Sequence, residues 1–217
     1  MSWIVFFEAI FLKGEIEIIF PLPPFENCIF AKVIFSWMEK IKNEDLGRKT
    51  VDEYKSSTKT PIVVVLDNVR SGINVGSIFR TADSFLLDAI YLCGITGQPP
   101  QQDILKSALG ATETVTWKYF TDTADAINEL KSQQYFIISI EQAKGSIMLN
   151  NFVPEQGQKI ALVFGHEVQG VQQSIIDVSD ACIEIPQIGT KHSLNVSVCS
   201  GIVVWDIWSK MNKHQSA

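Results

Sequence analysis

Three short stretches of this chain concentrate side chains that can hold or polarise a substrate: NVRSGINVGSIFRTAD at 68–83, LVFGHEVQGV at 162–171 and IPQIGTKHSLNVSV at 185–198. In the first, Val75, Ile78, Phe79 and Ala82 recur at helical spacing. That helix opens near Asn74, spends a glycine at 76 and carries Arg80 in its interior. Arg80 is either one solvated charge on an ordinary amphipathic helix or a guanidinium fork aimed at an anion, for which its fixed donor geometry suits phosphate oxygens. Asn74 is a favoured helix cap whose amide can still face a ligand. In the second stretch Gly165 ends an apolar run, where a missing side chain either lets a ligand approach the backbone or simply ends the strand in a turn. Glu167 two residues on can accept hydrogen bonds from Asn or Arg partners and fix their orientation, or stand in solvent. In the third, Ser193 and Asn195 precede a long apolar helix, where short polar side chains and unpaired N–H groups either cap the helix or position an incoming group.

The elements that must bring these stretches together alternate in type. IVVVLD (62–67), AIYLCG (89–94), VTWKYF (115–120), YFIISIE (135–141), KIALVFG (159–165) and ACIEIP (181–186) have the length and β-branched content of buried strands. Between them lie helical stretches: QDILKSAL, TADAINELKSQ behind Thr121 or Asp122 as cap, a short one near Ser174, and a final one from about Leu194 to Met211. Strands alternating with helices imply an α/β fold, a mainly parallel sheet with helices on both faces, which binds ligands beyond the carboxyl ends of its strands. No G-x-G-x-x-G and no G-x-x-x-x-G-K-[ST] is present, so the dinucleotide and P-loop solutions to phosphate binding are disfavoured.

Composition narrows the options further. A hydrophobic fraction of 46% over 217 residues supports a sizeable core, and a net charge of −6 argues against a broad basic face wrapped on duplex nucleic acid. Arg48, Lys49, Lys55, Lys59 and Arg70 remain as local cations. Cys28, Cys93, Cys182 and Cys199 form no C-x-x-C pair, which fits a reduced, cytoplasmic compartment. Three histidines at 166, 192 and 214 lack metal-ligand spacing, so no metal is expected. Residues 1–37 are an atypical Phe/Ile-rich extension, not expected to be a signal peptide because no basic stretch precedes the apolar run, nor a membrane span because Glu8, Lys13, Glu15 and Glu17 interrupt it. The extension is an added hairpin or is foreign to the natural protein, with Met38 as the alternative start. A polar helical segment at 38–60 and a catalytic domain at 61–217 complete the expected organisation.

In order and spacing, the three stretches resemble the motifs of the SpoU (TrmH-like) RNA 2′-O-ribose methyltransferases of the SPOUT class. The resemblance runs over roughly residues 45–211, and Ile185-Pro186 through Ser193-Leu194-Asn195 is its most specific part. It implies a C-terminal deep trefoil knot, an exception to ordinary chain topology that periodicity does not reveal. It also implies S-adenosyl-L-methionine as cofactor, held by the backbones of Gly165, Ile185 and Leu194 with Ile140 and Glu141 beside them. Arg80, Asn74, Glu167, Ser193 and Asn195 would form the catalytic set. The family's matching arginine has been proposed as the base; a guanidinium with pKa above about 12 is better suited to binding phosphate and orienting the hydroxyl. Neither His166 nor His192 belongs to that set, and His192 joins Arg48 and Arg70 as a candidate RNA contact. A homodimer through the knot and the C-terminal helix is implied, with Arg48 reaching the partner's substrate. The implied substrate is tRNA, or rRNA, read by shape because no separate recognition domain is evident. Methylation of a base nitrogen, or a non-catalytic RNA- or cofactor-binding role, is the alternative. The family pattern places a glycine after RTA-x-x-F where this chain has Leu86, so the helix is expected to turn there without positive φ or to extend.

Overall fold

The computed structural model describes residues 40–213; the extension at 1–37, Met38, Cys28 and His214 lie outside the described residues. The chain divides into two compact units after Gly47. The described part of the first is a 3-10 turn, Asn43–Leu46, closed by Gly47 at φ 58°. The second unit opens on α1 (Val51–Ser56), where Thr50 and Glu53 form a capping box. Tyr54 of α1 is buried in the main core, so α1 belongs to the same body as the sheet, and the expected boundary at 61 falls inside that unit.

There follow β1 (Thr60–Asp67), α2 (Gly72–Ser84), β2 (Leu87–Cys93), α3 (Gln102–Ala108), α4 (Ala111–Thr114), β3 (Trp117–Phe120), α5 (Thr123–Ser132), β4 (Phe136–Ile140), β5 (Ile147–Met148), β6 (Ile160–Gly165), α6 (Gln173–Val178), β7 (Ala181–Glu184) and α7 (Val196–Lys213). The seven strands run in the order β3-β2-β1-β6-β4-β7-β5, and every neighbouring pair is parallel. Six of them match the strands read from sequence. The exposed two-residue β5 has too short an apolar pattern to register there, and β7 stops at Glu184, before Pro186, which has no N–H to give a ladder.

β1 shows why the sheet is covered on both faces. Ile62, Val64 and Leu66 enter one core with residues of α2, α3, α4 and α7, while Val63 and Val65 enter a second with α5 and α6. Burying each such side chain contributes about 1.5–3 kcal/mol relative to leaving it exposed. Gly76 answers a packing demand in α2: a Cβ there would stand 2.1 Å from Ser107 Oγ and 2.4 Å from the Ile104 carbonyl oxygen, so the glycine lets α2 lie directly on α3.

The end of α2 departs from expectation. Leu86 takes φ 55°, the left-handed conformation that costs a residue with a Cβ roughly 1–2 kcal/mol. It is pinned there from three sides. Its N–H donates to the Asp83 carbonyl, its own carbonyl accepts from Thr60 N at 2.8 Å, and Thr60 Oγ1 donates to the Phe85 carbonyl at 2.9 Å. The start of β1 thereby imposes the turn that a glycine would have allowed.

Candidate active site

A cavity of about 520 Å³ opens at the carboxyl ends of β4, β6 and β7. Ile140, Glu141, Gly165, Ile185 and Leu194, the five residues expected on the cofactor side, all line it. Its volume suits a nucleoside-sized ligand, and its mixture of apolar side chains with backbone polar groups is that of small-molecule sites.

One wall is a tight turn. His166 and Gly170 exchange backbone hydrogen bonds of 3.0 and 2.8 Å, folding residues 166–170 back over the end of β6. A Cβ on Gly165 would lie 2.0 Å from Gly170 C and 2.1 Å from Val171 N. The glycine is therefore required by the chain's own return, the turn that ends β6. Glu141 fastens the same turn, its carboxylate accepting from Val171 N at 3.0 Å and from Gln142 N at 2.9 Å. Gly170, at φ 71°, leaves the room that carboxylate occupies. His166 Nδ1 accepts from Val168 N at 3.0 Å and Gln169 N at 3.3 Å, a structural use of the imidazole inside the turn.

From this turn a hydrogen-bonded chain joins all three stretches. Glu167 Oε2 accepts from Arg70 N at 3.0 Å, and Oε1 accepts from Ser71 N at 2.9 Å and Asn74 Nδ2 at 3.0 Å. Asn74 Oδ1 then accepts from Asn195 Nδ2 at 3.1 Å. Asn195 Oδ1 caps α7 by accepting from Ser197 N and Val198 N. Each amide is oriented by its partners, since Asn74 can donate to the carboxylate only with its oxygen turned to Asn195. Burial pushes the Glu167 carboxyl up, but the N–H groups of Arg70 and Ser71, its own N–H and the Asn74 amide outweigh this and hold it below its ordinary value. Asn74 does not cap α2. Ser71 does, accepting from Asn74 N, which leaves the Asn74 side chain free to sit buried at the centre of the chain.

The remaining candidates stand apart from this network. Arg80 is exposed and does not line the cavity; among the described residues its guanidinium takes part in no hydrogen bond or ion pair. It lies six residues along α2 from Asn74, roughly 9 Å down the helix axis and turned away by about 120°. Ser193 and His192 line the cavity with exposed side chains, and the His192 carbonyl accepts from Gln142 Nε2 at 2.6 Å. Arg70 is exposed beside the network, to which it contributes its N–H, and Arg48 is exposed ahead of α1. Lys59 is not available as a phosphate contact: its ammonium lies 3.7 Å from the centre of the Tyr54 ring and donates to the Tyr54 carbonyl. Cys199 also lines the cavity, but burial, with the Glu141 charge adding to it, pushes its thiol up to about 12, so it supplies no thiolate nucleophile near neutrality. Among the described residues no cluster of His, Cys, Asp and Glu has the makings of a metal site, and no helix is long and apolar enough to cross a membrane.

Ser71, Gln142, Asp67 and Gln172 were not singled out by sequence. Asp67 alone had a signal, an acidic residue closing the apolar run IVVVLD.

A parallel α/β sheet with a nucleoside-sized cavity beyond its strand ends, lined by the loops after β4, β6 and β7 and tied through Glu167 and Asn195 to the loop after β1, is the arrangement of a small-molecule site. Residues 61–205 match the SpoU rRNA Methylase family, and the chain belongs to that family. It is 30% identical over 178 residues to an uncharacterized tRNA/rRNA methyltransferase of Borreliella burgdorferi, covering 81% of this chain and 77% of the relative. It is 29% identical to a putative TrmH family tRNA/rRNA methyltransferase of Staphylococcus saprophyticus, covering 75% of this chain and 64% of that relative. The fold is similar to that of the A. aeolicus TrmH/SpoU tRNA modifying enzyme, with TM-score 0.67 and 24% identity over 76% of this chain and 82% of the other. It is likewise similar to the AdoMet-bound rRNA methyltransferase of Sinorhizobium meliloti, with TM-score 0.64 and 24% identity over 76% and 59% of the two chains.

Proposed function

We propose that this chain is an S-adenosyl-L-methionine-dependent methyltransferase acting on a ribose 2′-hydroxyl of tRNA or rRNA, tRNA being favoured, as a cytoplasmic homodimer. The observation that carries this reading is the Glu167–Asn74–Asn195 chain, which ties the loops after β1, β6 and β7 together at the edge of the cavity. The residues present fit the cofactor. Gly165, Ile185 and Leu194 offer backbone polar groups, and Ile140 with the Leu194 side chain offers apolar surface for the adenine. When bound, S-adenosyl-L-methionine supplies an electrophilic methyl group on a sulfonium. The protein's own part is alignment of the ribose hydroxyl and handling of its proton. Ser193 and Asn195 line the cavity and serve that task, with Asn74, behind the lining, tying Glu167 to Asn195 through its amide.

Arg80 binds a phosphate flanking the target ribose and so orients the hydroxyl. Among the described residues its guanidinium has no acceptor, which supports that role because its donors stay available to the substrate. Arg70 and His192 extend the RNA surface, and Arg48 contributes to the substrate of the partner. Subunits pair through α7, where Val198, Ile202 and Trp205 at 51%, 38% and 57% exposure form an outward apolar stripe one helical face wide. The likeness of fold supports a trefoil knot in the C-terminal part of the sheet.

Incubation with methyl-labelled S-adenosyl-L-methionine and total RNA, followed by digestion to nucleosides, tests the reading. A 2′-O-methylnucleoside is expected; a base-methylated product, or cofactor binding without transfer, overturns it. Arg80→Ala is expected to lower turnover by about 100-fold while cofactor affinity stays within about twofold. Loss of cofactor binding in that variant would assign Arg80 to the cavity instead.

A further inference from the structure

Asp67, the last residue of β1, is fully buried, and every group it meets is a donor. Oδ1 accepts from Asn68 Nδ2 at 2.9 Å, Thr123 Oγ1 at 2.7 Å and Gln172 Nε2 at 2.7 Å, and Oδ2 accepts from Gln172 N at 2.9 Å. A carboxylate this deep is tolerated only when so satisfied. No neutral isostere can replace it, because an Asn side chain would turn its own NH₂ towards one of these donors.

The position of Asp67 relative to the 166–171 turn gives the bond set a meaning beyond local satisfaction. In the sheet Asp67 is the register partner of Gly165, the residue from which the turn departs. Its side chain receives Gln172, the residue at which the turn returns. One residue thus sets both ends of the segment that carries Glu167, while Glu141 holds only the returning side, through Val171. Three residues further along the chain, Arg70 N is the donor that Glu167 meets. Asp67 therefore fixes both partners of that contact, the turn through its carboxylate and the donor loop through its backbone.

We propose that Asp67 is a positioning residue for methyl transfer: it clamps the 166–171 turn so that Glu167 can orient Asn74 and the turn can wall the cofactor cavity. The inference rests on the methyltransferase reading for its functional consequence, and on geometry alone for the clamp. The carboxylate has three arms, one to Gln172 and the turn, one to the neighbouring Asn68, and one through Thr123 to the start of α5. Of these the Gln172 arm reaches the turn and the Thr123 arm leads away from it.

Asp67→Asn, Gln172→Ala and Thr123→Val separate the arms. Melting temperature, amide exchange of residues 166–171, S-adenosyl-L-methionine affinity by calorimetry and turnover are measured for each. Asp67→Asn is expected to speed exchange in the turn by about tenfold or more, weaken the cofactor by about tenfold and lower turnover by roughly 10- to 100-fold. Gln172→Ala moves all three the same way by several-fold, its backbone donor being retained. Thr123→Val lowers the melting temperature yet leaves turn exchange and cofactor affinity within about twofold. The proposal is overturned if Asp67→Asn leaves the turn and the cofactor as in the parent, or if Thr123→Val reproduces the losses in proportion to its melting temperature. Should Asp67→Asn fail to fold, the contrast between Gln172→Ala and Thr123→Val decides the matter. A parent protein that binds no S-adenosyl-L-methionine retires the methyltransferase reading, while turn exchange still decides the clamp.

Discussion

The cavity has two walls of opposite construction. The 166–171 turn is folded on itself by a pair of backbone hydrogen bonds and gripped from below by Glu141 and Asp67. The 186–195 segment facing it is exposed throughout, and among the described residues the one recorded hydrogen bond that holds it before Asn195 is Gln142 Nε2 to the His192 carbonyl. The contrast assigns two duties. A ligand that must be aligned to within fractions of an ångström needs a wall that is set before it arrives. A ligand that must also enter and leave needs a wall that can part, and segments with few buried contacts open at low free-energy cost.

Glycine substitutions test the contrast at its largest. Gly165→Ala drives a methyl into the backbone of Gly170 and Val171, which cannot yield without undoing the turn. It is expected to cost more than about 3 kcal/mol, a fall of roughly 6 °C or more in melting temperature, and to abolish cofactor binding. Gly189→Ala, with nothing within 4 Å of the added methyl, is expected to change stability by less than about 0.5 kcal/mol. Comparable losses in the two variants would erase the distinction between the walls.

Glu167→Gln probes the set wall from within. An amide can accept through one oxygen only, so at least one of Arg70 N, Ser71 N and Asn74 Nδ2 loses its partner. Turnover is expected to fall about 100-fold with cofactor affinity within about fivefold, as a split between kcat and Kd. The same variant has a pH signature. Because the folded-state carboxyl is held below its ordinary value, the stability it contributes is complete above the unfolded value of about 4.3 and is lost as pH falls through the folded value. Parent and Glu167→Gln denaturation curves should therefore converge as the solution is acidified below that point and stay separated at neutrality. Curves that remain parallel down to pH 3 would show the bonds to be unimportant to the charge.

Gln142→Ala addresses the other wall and is expected to have a smaller effect than Glu167→Gln. Removing the one hydrogen bond that, among the described residues, holds residues 186–194 should speed cofactor release by about two- to tenfold, in line with a single hydrogen bond. Cleavage by trypsin at the exposed Lys191 should rise in the same variant and fall when S-adenosyl-L-methionine is added. An unchanged release rate would mean that the segment is held by the ligand alone.

What could be read in the sequence was whatever depends on neighbours along the chain. IVVVLD and KIALVFG announced buried parallel strands, and Asp122 proved to be the cap of α5, accepting from Ala124 N. The three stretches were found because ligand-binding loops follow strand ends, whereas the five cavity residues came from the resemblance to the SpoU motifs. What could not be read depends on partners far apart in sequence. Glu167 and Asn74 are separated by 93 residues, Asn74 and Asn195 by 121, and Asp67 and Gln172 by 105, so neither the helix period nor the strand period records their meeting. Gly165 was readable both as a ligand-approach glycine and as a turn glycine, and the close return of Gly170 and Val171 that demands it could not be read. At Leu86 the local rule against positive φ was overridden by bonds to Thr60, twenty-six residues earlier.

Asn195 belongs to two structures at once, ending the amide chain from Glu167 and beginning α7 as its cap. A rod eighteen residues long is thereby geared at its tip to the amide chain, with an apolar flank exposed from Val198 to Trp205. A body that seats against that flank and shifts the rod would move the amide of residue 195 with it.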